Sequence, residues 1–202
     1  MKNYTLAAVV IAAMLAGSGC ASFKANNLPT VTRDQMSVSN TERVNVFSRW
    51  SVVSNNTRMN TDMRAAAAAV HKNHFDRALN SSNCCTLVES PAEADVIVEG
   101  QAVDHFNQAA MIPAFITGLS LYTIPSWATG KMEIRATATS TANTSETRYN
   151  LSDSMTMVQW LPMIFVMPFT GSPLTTAKEL DENVYRNLVL KLKNDGLLGN
   201  TN

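Results

Sequence analysis

The chain has 202 residues, with 16 Lys plus Arg balancing 16 Asp plus Glu, and charged residues make up only 16% of it. Balanced charge without a basic tract excludes electrostatic capture of nucleic acid or of an anionic surface. The length suits one domain with a proper core and is small for two.

The N-terminus is the most informative stretch. Lys2 supplies a positive start, and Thr5 to Ala16 is an apolar segment too short to span a bilayer as a helix. Leu15-Ala16-Gly17-Ser18-Gly19-Cys20 follows, with small residues that leave the bond before Cys20 open to a peptidase and a thiol that can carry a diacylglyceryl group. Residues 1–20 resemble bacterial lipoprotein signal peptides, with one departure: Gly17 stands where the family more often has Leu. The resemblance implies a signal peptide over 1–19 and lipidation (palmitate included) at Cys20. Ala21 next to Cys20, in place of Asp, implies sorting to the outer membrane on its periplasmic face.

Residues 20–42 read as the lipidated cysteine and a flexible tether, rich in Ser, Thr and Asn and containing Pro29. Such a coil spans about 25 Å on average. A single periplasmic α/β domain is expected over 43–197.

Its elements follow from periodicity. Val44, Val46, Trp50 and Val52 alternate in a strand over 43–54, and the alanine run Ala65–Ala69 lies in a helix over 58–80. Two strands follow, over 84–89 and 95–104. The phrase Pro91-Ala92-Glu93-Ala94-Asp95-Val96-Ile97-Val98-Glu99-Gly100, after a helix and a short strand, is similar to one in small periplasmic domains. The curli-secretion lipoprotein and the lipoprotein activators of penicillin-binding proteins carry similar ones. That resemblance is a cue to fold alone.

Lys131–Ala142 and Glu146–Met157 alternate as a hairpin around Asn143-Thr144-Ser145. Leu180, Val184, Leu188 and Leu192 stripe a last helix over 176–194 that Gly196 is placed to stop. The expected fold is α+β. It is a two-layer sandwich with a mainly antiparallel sheet of about five strands, two helices on one face, and two apolar connecting segments.

Those segments are the unusual feature. Residues 105–130 and 154–177 hold no Asp, Glu, Lys or Arg over 26 and 24 residues. Neither run spans a bilayer by length and proline content. The expectation is that both pack against each other and the sheet as core. Phe115, Leu119, Trp127, Trp160 and Phe165 are the candidates to dock a partner or a membrane with any exposed remainder.

No residue set carries catalysis: Gly-x-Ser-x-Gly, a phosphate loop and His-Glu-x-x-His are all absent. His71 and His74, near Asp76, with His105 elsewhere, have no third ligand at a recognisable spacing, so no metal is expected and no cofactor beyond the lipid. Cys84 and Cys85 are adjacent. They are expected to be structural, as a strained vicinal ring, an inter-chain bridge or buried thiols. The resulting expectation is a non-enzymatic outer-membrane lipoprotein that binds a partner or supports envelope assembly. Its partners are the membrane, through the anchor, and an envelope protein, with a homo-oligomer left open. The alternatives are a membrane-inserting subunit of an oligomeric complex and an envelope enzyme.

Overall fold

The structure is a computed structural model and describes residues 20–38, 43–105 and 111–199; the signal segment 1–19 lies outside them. The strands are β1 (Cys20–Lys24), β2 (Val44–Ser54), β3 (Cys85–Leu87), β4 (Val96–Asp104), β5 (Ser126–Ser140) and β6 (Glu146–Gln159). The helices are α1 (Arg33–Met36), α2 (Thr61–Ser82), α3 (Met111–Leu119), α4 (Met167–Thr170) and α5 (Pro173–Asn194).

The α+β class is as expected, but the sheet is six-stranded and mixed, in the order β1-β6-β5-β4-β2-β3. β2 runs parallel to both β3 and β4, whereas β4 pairs antiparallel with β5. The physical reason is the crossover through α2, which returns the chain in its starting direction. The turn after β3 then carries the chain past β2, so β3 and β4 are not neighbours.

The expected single domain divides into two compact units. Among described residues, one unit draws on 26–38, 43–105, 131–154 and 178–199, and the other on 20–25, 111–130 and 155–177.

The first, the α/β unit, has a conventional apolar core. Val46, Trp50, Val98, Ile134, Ala136 and Leu151 alternate inward along their strands, and Phe75, Leu79, Val184, Tyr185 and Leu188 of α2 and α5 cover them. Trp50 crosses Tyr185 and Phe75 with ring centroids 5.2 and 5.5 Å apart. Gly100 makes room for it: a Cβ there would lie 2.4 Å from the Trp50 ring. Asn60 caps α2 by accepting from Met63 N, and Asn83 ends it in the left-handed conformation at φ 56°.

The expected tether is overturned. Cys20–Lys24 is a strand, and Val31, Met36 and Val38 are buried in the core of the α/β unit. Asn183 Oδ1 accepts from Val31 N, Asn187 Nδ2 donates to Pro29 O at 2.9 Å, and Lys193 Nζ donates to the carbonyls of Gln35 and Ser37. Three well-spaced apolar side chains suffice to bury the stretch where side-chain amides take up its backbone groups. Residues 39–42 lie outside the described residues.

Cys84 and Cys85 are joined as a vicinal disulfide, and both are buried.

Candidate membrane-docking surface

The second unit inverts the usual order of polarity. Its buried residues, among those described, are Ala21, Ser22, Thr117, Ser126 and Thr176, four of which carry a hydroxyl. Thirteen of the sixteen exposed large hydrophobic residues of the described chain belong to this same unit. Lys24 is its one charged side chain among the described residues.

The helix α3 shows how the inversion is built. Ile112, Phe115, Ile116 and Leu119 stand at i, i+3, i+4 and i+7, the spacing of a helix face that normally meets a core. All four point outward, while Thr117 is fully buried with its hydroxyl donated to Pro113 O at 3.0 Å. Beyond the helix, Leu121 and Tyr122 are both left-handed, at φ 52° and 62°, and Leu121 is exposed. This is a strained turn for side chains of their size. The Tyr122 carbonyl accepts from Leu161 N at 2.8 Å, which ties the two apolar runs together.

The buried hydroxyls of the unit find their hydrogen-bond partners within it. Ser22 Oγ lies 2.6 Å from Thr176 Oγ1 and 3.2 Å from the Gly171 carbonyl, and Ser126 Oγ donates to Gln159 Oε1 at 3.2 Å. The strand β1 pairs antiparallel with the end of β6, with Cys20 opposite Gln159 and Lys24 opposite Met155. The candidate lipidation residue therefore belongs to the unit that carries the exposed apolar side chains.

The five docking candidates all fall here. Phe115 is 67% exposed, Leu119 70%, Trp127 69%, Trp160 38% and Phe165 79%. The expectation that the two runs form core holds only in part: Met163, Ile164 and Val166 are partly buried, but most of the large side chains face outward and the fully buried positions are Ala21 and four hydroxyl residues. The residues of the two runs not named as docking candidates from the sequence are Ile112, Ile116, Leu121, Ile124, Leu161, Phe169 and Leu174, all exposed, and Phe23 of β1 is exposed as well. The missing charge of both runs was the signal for them. No described helix is long and apolar enough to cross a membrane.

The three histidines are engaged separately. His71 Nδ1 shares a 2.7 Å hydrogen bond with the Tyr185 hydroxyl, His74 Nδ1 accepts from Arg77 at 3.1 Å, and His105 Nε2 lies 3.1 Å from Glu133 Oε2. Burial, with His74 second, pushes His71 below the ordinary histidine value, and Asp104 partly offsets this. Glu133 is buried among Lys131, His105 and Arg135, whose hydrogen bonds hold its carboxyl at about 2.

No family model matches the chain, and comparison with curated proteins finds no similar sequence. Several solved structures are similar to it at low identity. A hypothetical protein from Chlamydia trachomatis is 11% identical, covering 75% of this chain and 97% of its own, with a TM-score of 0.42. A protein from Xanthomonas campestris is 8% identical over 77% and 84%, with a TM-score of 0.38. The PelC dodecamer from Paraburkholderia phytofirmans is 8% identical over 83% and 96%, with a TM-score of 0.32.

Proposed function

We propose that this chain is a lipid-anchored, non-enzymatic module of the bacterial envelope whose inverted unit seats itself in one leaflet of the membrane. The observation that carries the reading is the unit that buries Ser22, Thr117, Ser126 and Thr176 while exposing Ile112, Phe115, Leu119 and Phe165. In water that arrangement wastes its apolar surface. In hydrocarbon it is the favourable one, because polar groups must find partners internally and apolar side chains lose nothing by facing outward. The nine residues of α3 rise about 14 Å, under half of a hydrocarbon core of about 30 Å, so insertion is monotopic.

Acylation at Cys20 places the lipid on the same unit, and two anchoring signals together give the stable attachment that one acyl chain does not. Ala21 after the cysteine supports the outer membrane as the destination. The α/β unit, with its charged exterior, is the part that meets envelope partners in water.

The test is flotation of the mature chain carrying Cys20→Ala, which removes the acyl group, with vesicles of phosphatidylethanolamine and phosphatidylglycerol. The protein should float, and the triple variant F115S/L119S/F165S should stay at the bottom of the gradient. A Cys20→Ala protein that is monomeric without detergent and ignores vesicles overturns membrane seating and leaves the surface to a protein partner.

A further inference from the structure

We propose that the α/β unit binds a single phosphate group in a pocket between α1, α2 and α5. This does not depend on membrane seating, because every residue used here belongs to the α/β unit.

Arg33 of α1, His74, Arg77 and Ser81 of α2, and Glu182 and Arg186 of α5 line a cavity of about 150 Å³. Three arginines from three elements and one glutamate therefore line one cavity. Glu182 accepts from Arg186 Nη2 in a single contact of 3.3 Å. Arg77 donates to the Asn73 carbonyl and to His74 Nδ1, neither of which carries negative charge. Arg33 has no ion pair among the described residues. Like charges converging on a cavity repel one another, and an oxyanion between them removes the repulsion while accepting charge-assisted hydrogen bonds in the planar geometry that arginine offers.

The surroundings agree. His74 is pushed below the ordinary histidine value, first by burial and then by the Arg77 charge, with Lys178 adding to the effect and Glu182 opposing it. Its ring stacks on Tyr185 at 5.8 Å. The neutral imidazole thus accepts from Arg77 and fixes that guanidinium. The backbone that carries Arg33 is anchored too, because Met36, three residues on, is fully buried and Lys193 clamps the Gln35 and Ser37 carbonyls. The backbone framework of the pocket and the Arg77 guanidinium are set before any ligand arrives, which lowers the entropic cost of binding.

Size selects the ligand class. The cavity equals about five waters at 30 Å³ each and falls below the range of about 300–1,000 Å³ usual for drug-sized ligands. One phosphate group with a few waters fits, while a nucleotide does not. The source is free phosphate or a phosphomonoester such as a sugar phosphate.

The test is calorimetric titration of the full mature lipoprotein in detergent with inorganic phosphate and, separately, with glucose 6-phosphate, at ionic strength fixed by chloride. Saturable binding is expected with both or with one. Tighter binding of the sugar phosphate assigns a phosphomonoester, and equal or weaker binding assigns free phosphate. Arg33→Gln, Arg77→Gln and Arg186→Gln should each weaken it about tenfold or more, as loss of a charge-assisted hydrogen bond does. Arg148→Gln, on β6 and paired with Glu146, should leave it unchanged. Absence of saturation by about 10 mM of either probe, or unaltered affinity in an R77Q/R186Q variant with an intact circular dichroism spectrum, overturns the proposal. Arg33→Gln, on an exposed side chain, keeps the test valid if that double variant does not fold.

Discussion

Cys20 lies directly opposite Gln159 in the sheet, one residue before Trp160. The residue that would carry the acyl chains and a half-exposed indole are therefore positioned by one β-ladder. Trp127 belongs to the same unit, at the start of β5, and is more exposed than Trp160. Amphipathic indole rings favour the level of the lipid head groups. On adding vesicles to the Cys20→Ala protein, tryptophan emission should shift to the blue and become sensitive to brominated lipid. Trp127→Phe should reduce the response and leave the smaller part due to Trp160, because Trp50 is already buried in the α/β core. An unchanged response in Trp127→Phe would contradict insertion through this strand.

Leu121 offers a way to separate stability from membrane affinity. Its left-handed backbone at φ 52° costs about 1–2 kcal/mol for a residue with a side chain. Leu121→Gly should raise the unfolding temperature slightly and weaken flotation, since an exposed apolar side chain is lost. Both quantities falling together would show that Leu121 packs rather than docks.

Ser22 and Thr176 form a buried polar pair, and buried pairs respond asymmetrically to truncation. Thr176→Val alone should cost about 1–3 kcal/mol by denaturant unfolding, with Ser22 left short of a partner. The double variant S22A/T176V should cost less than the two single changes added together. Strict additivity would remove the pair from the list of interactions that hold the inverted unit together.

Two carboxyls set opposite pH dependences on the α/β unit. Glu133 has a folded-state value of about 2, below its ordinary 4.5, so its stabilising contribution is present above 4.5 and is lost as pH falls from there toward 2. Its partners Lys131, His105 and Arg135 are about half exposed, and after solvent screening the contribution is about 1 kcal/mol. Glu133→Gln should flatten stability across that acid range.

Asp181 runs the other way. Burial, with Glu182 second, raises its carboxyl to about 6 from 3.8. A raised carboxyl destabilises the fold once it is ionised, so the penalty is absent below 3.8, grows up to 6 and is complete above it. Asp181→Asn should therefore stabilise the protein at pH 7 by about 1–2 kcal/mol and change nothing near pH 3. Equal effects at both pH values would place the cause in packing rather than charge.

The elements legible in the sequence were those with a clean period. The strand β2, the hairpin of β5 and β6, and the Leu180-Val184-Leu188-Leu192 stripe of α5 all appear close to their expected bounds. The strand β1 was not legible, because Cys-Ala-Ser-Phe-Lys has neither alternation nor β-branched residues, and a partner about 135 residues away determines it. Parallel pairing on β2 was hidden for a related reason: alternation gives a face and no direction. The apolar runs were conspicuous from composition alone. Whether they face inward depends on which side chains fill the interior, and four scattered hydroxyl residues carry no sequence pattern. The phosphate pocket was invisible, since Arg33, Arg77 and Arg186 are separated by more than forty residues at every step.

The strand that follows Cys20 has a further consequence. A coil of more than twenty residues after the lipid would let the body sweep a hemisphere of periplasm and meet its partners by diffusion in three dimensions. With Ala21 and Ser22 packed in a strand, acyl chains carried on Cys20 would leave the folded unit with no slack at all. A protein tethered so short would move as its lipid moves, in the plane of the membrane, and would meet only what shares that plane or comes to it.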